Sequence, residues 1–179
     1  MSSLPSLIRL EGYLDTTPLL WALREHPELW NQHKERTTDP SSPHHGLDDI
    51  WVRYAPNAEL GQEAHESQWY AAAELLPVKP YVNLICQMAG ATELGGVLIT
   101  RIPPGRMCKP HQDHGWHAER YEKFALQVTS APGQKFCMED TELETRPGDI
   151  YWFDNSKTHW VTNDTPYERI TMIVCLRRD

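Results

Sequence analysis

The spacing of apolar positions changes partway along the chain. Up to about residue 92 it is helical. "PLLWALREHPELW" (18–30) carries apolar residues at helical spacing. Asp15 or Thr17 can cap this helix, and Pro18 falls in its first turn, where a missing N–H costs nothing. Pro27 is expected to kink or divide it. "KERTTDPSSPHHG" (34–46) is polar and rich in turn formers, so it reads as a loop. "LDDIWVRYAP" reads as a short strand. "ESQWYAAAELL" and "PYVNLICQMAG" read as two further helices, the second ending close to Gly90.

From Gly95 onward the runs are short, rich in β-formers and punctuated by turns. "GGVLITRI" ends at "PPG", "KFALQVTS" at "APG" and "ETR" at "PGD", with "IYWFDN" and "RITMIVCLRR" completing the set. That texture predicts antiparallel strands in a sandwich or barrel. The fold class expected is therefore α+β, mainly β. Residues 1–179 form one domain, with 1–92 as a helical layer holding one or two strands and 93–179 as the β core.

Within that core, "KPHQDHGWHAERY" (109–121) packs three histidines and an aspartate into seven positions. Side chains at i and i+2 of a strand share a face, about 6–7 Å apart at Cα, so His111 and Asp113 can bite one ion. His159 in "SKTHWVTN", beyond a strand–turn–strand excursion, supplies a third donor. Two histidines and one carboxylate on one face of an ion form the facial triad of non-haem Fe(II) oxygenases. Arg169 opens the last strand, where Arg169, Thr171, Ile173 and Cys175 share a face and Ile170, Met172, Val174 and Leu176 share the other. An arginine facing into a small barrel is costly unless it meets an anion, and its planar fork suits a carboxylate. A metal triad with a carboxylate anchor nearby is what holding 2-oxoglutarate requires.

These segments, "ITRIPPG", "KPHQDH", "PGDIYWFDNSKTHWVTN" and "ERITMIVCLR", resemble the aspartyl/asparaginyl β-hydroxylase family of Fe(II)/2-oxoglutarate-dependent oxygenases. The resemblance runs from about Leu98 to Arg177. It implies a double-stranded β-helix (jelly-roll, cupin-like) barrel, Fe(II) at His111, Asp113 and His159, and the distal 2-oxoglutarate carboxylate at Arg169. It also implies O2-dependent hydroxylation of a C–H, with release of succinate and CO2. The better-known animal members have no carboxylate at the position matching Asp113, and this chain is shorter. Their protein-substrate specificity is therefore not carried over. Asp113 is read as a direct ligand, with a water-bridged contact as the alternative.

Other residues receive weaker assignments. Gln127 faces inward on "KFALQV" and is a candidate for bonding 2-oxoglutarate, with barrel packing as the alternative. His114 and His117 are read as surface or supporting residues, although "HGWH" has the form of an HxxH pair. Trp116 walls the substrate pocket or packs on the helical layer. The His44–His45 loop is read as solvated, with substrate contact, together with Arg53, as the alternative. The four cysteines form no paired CxxC motif and read as reduced thiols, mostly in the core.

Composition narrows the partners. Seventeen basic against twenty-five acidic residues, with no Lys/Arg run, argue against nucleic acid. No apolar run is long enough to span a bilayer, and the start lacks a leader-like apolar core, so a cytoplasmic protein is expected. The substrate expected is a small molecule or a peptide. Competing readings are a cupin-type metalloenzyme that does not use 2-oxoglutarate and a non-catalytic metal-binding module; Arg169 separates the first reading from both.

Overall fold

The computed structural model describes residues 5–56 and 63–179; the first four residues, on which the reading of the chain's start partly rests, lie outside that range. Eleven strands among the described residues build two antiparallel sheets. They are β1 (Leu7–Arg9), β2 (Asp48–Tyr54), β3 (Gln68–Trp69), β4 (Glu93–Ile102), β5 (Met107–His111), β6 (Glu122–Thr129), β7 (Lys135–Met138), β8 (Glu142–Glu144), β9 (Ile150–Phe153), β10 (His159–Thr162) and β11 (Arg169–Arg177). The larger sheet runs β1-β9-β6-β11-β4-β2-β3 and the smaller β5-β10-β7-β8. This is the jelly-roll, double-stranded β-helix architecture.

The central strands of the larger sheet are buried on both faces, which the near-continuous apolar runs of β4, β6 and β11 make possible. Ile170, Met172, Val174 and Leu176 of β11 join Phe124, Leu126 and Val128 of β6 on the outer face. There they pack against helices α1 (Thr17–Glu25) and α4 (Val78–Ala89), through Leu19, Leu23, Val82 and Ile85. The inner face meets the smaller sheet in a second core that includes Ala125, Tyr151 and Phe153 opposite Phe136 and Val161. So Tyr151 and Phe153 point inward while Trp152 packs outward, as strict alternation requires.

Several expected elements stand as read. Pro27 ends α1, and Pro27–Leu29 is a single 3-10 turn. Gly90 closes α4 in the left-handed conformation, φ 68°. Other expectations are corrected. "ESQWYAAAELL" is not one helix. Its start is β3, an edge strand on β2, and only α3 (Ala72–Leu75) is helical. Arg53 of β2 draws this segment into the sheet, donating to the Ser67 carbonyl at 2.5 Å and stacking on Trp69. These tertiary contacts override a weak local helix propensity. The loop 34–46 contains a helical turn, α2 (Glu35–Thr38). Leu7–Arg9, which no pattern marked, adds a strand at the sheet edge against β9.

Gly148, in the turn between β8 and β9, fixes the N-terminal segment to the barrel. Its φ is +90°, and its carbonyl accepts the Leu14 N–H at 2.9 Å. A Cβ there would stand 2.3 Å from the Leu14 carbonyl oxygen. Gly148→Ala is therefore expected to destabilise the fold by roughly 2–4 kcal/mol, from the combined cost of a positive φ and a backbone clash. A urea unfolding midpoint unchanged from wild type would show that the segment yields freely.

Candidate active site

A cavity of about 450 Å³ lies between the two sheets. β5 and β10 are antiparallel neighbours in the smaller sheet, and His111 and His159 are register partners at the paired ends of those strands. Their rings stand 4.4 Å apart between centroids. β5 stops at His111, so Asp113 lies in the following loop and not on the strand. That corrects the expectation of a strand-borne i, i+2 pair. The loop still delivers the carboxylate, because the Asp113 N–H is caught by the Asn155 carbonyl at 3.0 Å. Asp113 Oδ1 is 3.7 Å from His111 Nε2, and Oδ2 is 3.6 Å from His159 Nε2.

Both imidazoles are held in one tautomer. His111 Nδ1–H donates to the Lys109 carbonyl at 2.8 Å, and His159 Nδ1–H donates to the Lys157 carbonyl at 2.9 Å. A carbonyl can only accept, so each Nδ1 carries the proton and each Nε2 lone pair faces Asp113. Burial keeps both rings neutral, pushing His111 down and His159 to about 4. Burial opposes ionisation of Asp113, but the Lys123 ammonium, 2.6 Å from Oδ2, keeps its carboxyl below the ordinary range. Two neutral imidazoles and one carboxylate converging in this way suit a divalent ion such as Fe(II).

Deeper on the inner face, Arg169 is 2% exposed. Nη1 donates to Thr171 Oγ1 at 2.8 Å, and Nη2 reaches the Tyr151 hydroxyl at 3.3 Å and Thr145 Oγ1 at 3.5 Å. Its Nε is buried with no partner, and no carboxylate of the described residues pairs with the guanidinium. Thr171, Ile173 and Cys175 line the cavity with it, on the face the alternation assigned. Gln127 stands one layer back from the cavity wall. Its amide donates to the Thr129 and Ile170 carbonyls and to Thr171 Oγ1, and its oxygen accepts from Thr145 at 2.9 Å. The glutamine thus fixes the two threonines that touch Arg169.

Other residues fall differently from expectation. His44 is not on a solvated loop; it lines the cavity, its ring edge-on to His111. His45 remains exposed. His114 is exposed and sits at the cavity's lining, whereas His117 is buried on α5 (Trp116–Arg120). Trp116 packs on His65 of the N-terminal layer and on Tyr121 and does not line the cavity. Arg53 is committed to Ser67, Leu94 and Trp69. Two cavity cations went unread. Lys123 shares the inward face of "EKFALQV" with Gln127, so alternation could have found it. Arg36, paired with the fully buried Asp49 at 2.5 Å, comes from the N-terminal layer, where nothing in the local sequence marks it.

The fold and this arrangement define the class: a double-stranded β-helix with a His-x-Asp…His cluster and a buried arginine facing one cavity. Residues 24–179 match the family model described as Aspartyl/Asparaginyl beta-hydroxylase. The chain belongs to the aspartyl/asparaginyl β-hydroxylase family and is a 2-oxoglutarate- and Fe(II)-dependent hydroxylase. Its cofactors are Fe(II), 2-oxoglutarate and O2. No curated protein matches it significantly by sequence. Solved structures similar in fold include a Trichoplax adhaerens prolyl hydroxylase in complex with a hypoxia inducible factor oxygen degradation domain peptide fragment (10% identity, 96% of this chain and 83% of that one, TM-score 0.65). Others are the collagen prolyl hydroxylase of Paramecium Bursaria Chlorella virus-1 in complex with 2OG (12%, 98% and 97%, 0.58) and a Pseudomonas putida prolyl-4-hydroxylase (17%, 97% and 93%, 0.57).

His117 generates a pH prediction. Its Nε2 accepts the Gly96 N–H at 3.0 Å, so the ring must be neutral, and burial pushes its pKa from 6.5 to about 3. Between those values the unfolded chain binds a proton that the folded one does not, so stability falls as pH drops from about 6.5 towards 3. His117→Gln keeps an acceptor and removes the titration. Its unfolding free energy is expected to depend less on pH between 7 and 5 than that of wild type, measured by urea denaturation.

Proposed function

We propose that His111, Asp113 and His159 hold Fe(II), that Arg169 anchors the carboxylate of 2-oxoglutarate remote from the metal, and that the substrate is an amino acid or a peptide side chain carrying the C–H to be hydroxylated. The observation that carries this reading is Arg169, a buried cation with an unpartnered Nε in the same cavity as the donor triad. A fixed guanidinium without a carboxylate of its own favours a bound dianion.

Bound there, Fe(II) would activate O2, the oxidant, with 2-oxoglutarate as the co-substrate oxidised to succinate and CO2 while the substrate C–H is hydroxylated. The protein's part is position. Lys109 and Lys157 carbonyls aim the two Nε2 lone pairs. Lys123 keeps Asp113 ionised and directs it as a ligand. Gln127 acts as a positioning residue, orienting Thr145 and Thr171 around the Arg169 fork. Exposed Gln112 and His114 belong to the cavity mouth, where substrate would enter. A cavity of about 450 Å³ has room for a small diacid and part of a substrate side chain.

We read residues 1–92 and 93–179 as one domain, since α1 and α4 bury their apolar faces on the sheet that carries Arg169. No helix among the described residues is long and apolar enough to cross a membrane. Four free cysteines support a reducing, cytoplasmic setting.

Anaerobic addition of Fe(II) and then 2-oxoglutarate tests the assignment. A visible metal-to-ligand charge-transfer band should appear only with both, and be lost in His111→Ala and His159→Ala. Arg169→Met should retain Mn(II) binding but bind 2-oxoglutarate about 30-fold or more weakly, since truncating one side of a buried charge pair costs roughly 2–5 kcal/mol. Iron binding with no band would remove the reading, and unchanged 2-oxoglutarate affinity in Arg169→Met would remove the anchor.

A further inference from the structure

A second group of metal-type donors stands in the same cavity and shares only His111 with the iron reading. Cys108, on β5, is 6% exposed. Its Sγ lies 3.3 Å from His44 Nδ1 and 3.9 Å from His111 Nδ1. The rings of His44 and His111 meet edge to face with centroids 4.8 Å apart. One donor atom from each of the three residues lies within 4.8 Å of the other two. Tetrahedral zinc, with bonds of about 2.3 Å to sulfur and about 2.05 Å to nitrogen, sets its S···N ligand separations near 3.5 Å. The two observed S···N distances bracket that value.

The geometry points to a site for a zinc-class divalent ion formed by His44, Cys108 and His111, whose filling excludes a metal from the His111–Asp113–His159 set. The exclusion follows from the chemistry of one ring. Neutral His111 has a single lone-pair nitrogen, now Nε2, while its Nδ1–H is held by the Lys109 carbonyl. An ion taken at Nδ1 breaks that bond and moves the proton to Nε2, which can no longer ligate. Cys108 gives up its thiol proton to solvent, so one proton is released per ion bound. A coordinated ion deprotonates a thiol outright. Ligand softness sorts the two sets. The thiolate-containing one suits Zn(II), whereas two imidazoles and a carboxylate suit Fe(II) and Mn(II). The hydroxylase would thus carry a built-in means of inhibition by soft divalent metal, independent of how substrate binds.

Co(II) is the probe, because it replaces zinc and reports a thiolate ligand by an intense near-ultraviolet charge-transfer band. Titration into the metal-free protein should give that band in wild type and in Asp113→Ala, and lose it in Cys108→Ser. Cys108→Ser should still bind Mn(II), measured by electron paramagnetic resonance. A further measurement needs no variant: excess Mn(II) should suppress the cobalt–thiolate band of wild type, because His111 is shared. Cobalt bound without a thiolate band, or a band that survives in Cys108→Ser, would overturn the site. Mn(II) binding that leaves the band unchanged would overturn the exclusion. The cobalt–thiolate band involves neither 2-oxoglutarate nor Asp113 and His159, so it tests the site independently of the oxygenase assignment, whereas the Mn(II) competition rests on that reading of the triad.

Discussion

The guanidinium of Arg169 is held at 2% exposure with no carboxylate among the described residues to balance it, and much of the barrel's interior is organised around that charge. Moving an ionised group out of water costs several kcal/mol; the hydroxyls of Thr171, Tyr151 and Thr145 offset part of it, and no counter-charge of the described residues offsets the rest. The strand that bears it is the most firmly held. β11 lies between β6 and β4 and pairs with both along most of its length. Its outward residues are locked into the core under α1 and α4. The arginine therefore cannot relax towards solvent without pulling apart the centre of the larger sheet.

The other charges of the cavity are matched. Arg36 is paired with Asp49 through two guanidinium–carboxylate bonds and bonds Thr100 as well. Lys123 is paired with Asp113. Against that background Arg169 differs from Arg36 and Lys123 in having no carboxylate partner among the described residues. The same logic runs through the hydroxyls around it. Thr145 spends its proton on Gln127, and Thr171 accepts from Gln127, so both present lone pairs towards the guanidinium. A glutamine that never reaches the cavity wall thereby determines how the arginine sits.

The histidines obey a complementary constraint. Each gives its Nδ1 proton to a carbonyl two residues earlier in its own chain segment, so the local backbone sets which nitrogen is available. That device makes the site compatible with a hard divalent ion through Nε2. It also makes His111 a point of competition, because the other side of its ring faces Cys108 and His44.

What the sequence determined by itself was the alternation and its punctuation. Period-2 runs separated by Pro-Gly turns specify inward and outward faces. Placing Arg169, Thr171, Ile173 and Cys175 on one face of β11 followed from that alone, and the helix closed by Gly90 followed from its own local helix and C-cap signals. Residue chemistry at fixed separations then marked His111, Asp113 and His159. Long-range pairing decided the rest. Helix propensity in "ESQWYAAAELL" lost to the Arg53 and β2 contacts of its first residues. Asp113 reached its neighbours through a loop tied to Asn155, not through a strand. His44 and Arg36 came to the cavity from the N-terminal layer, more than sixty residues before the His111 and Thr100 they touch. Alternation is a local property of the chain and can be read along it, whereas a contact between distant segments depends on how the two sheets and their covering layer close on one another.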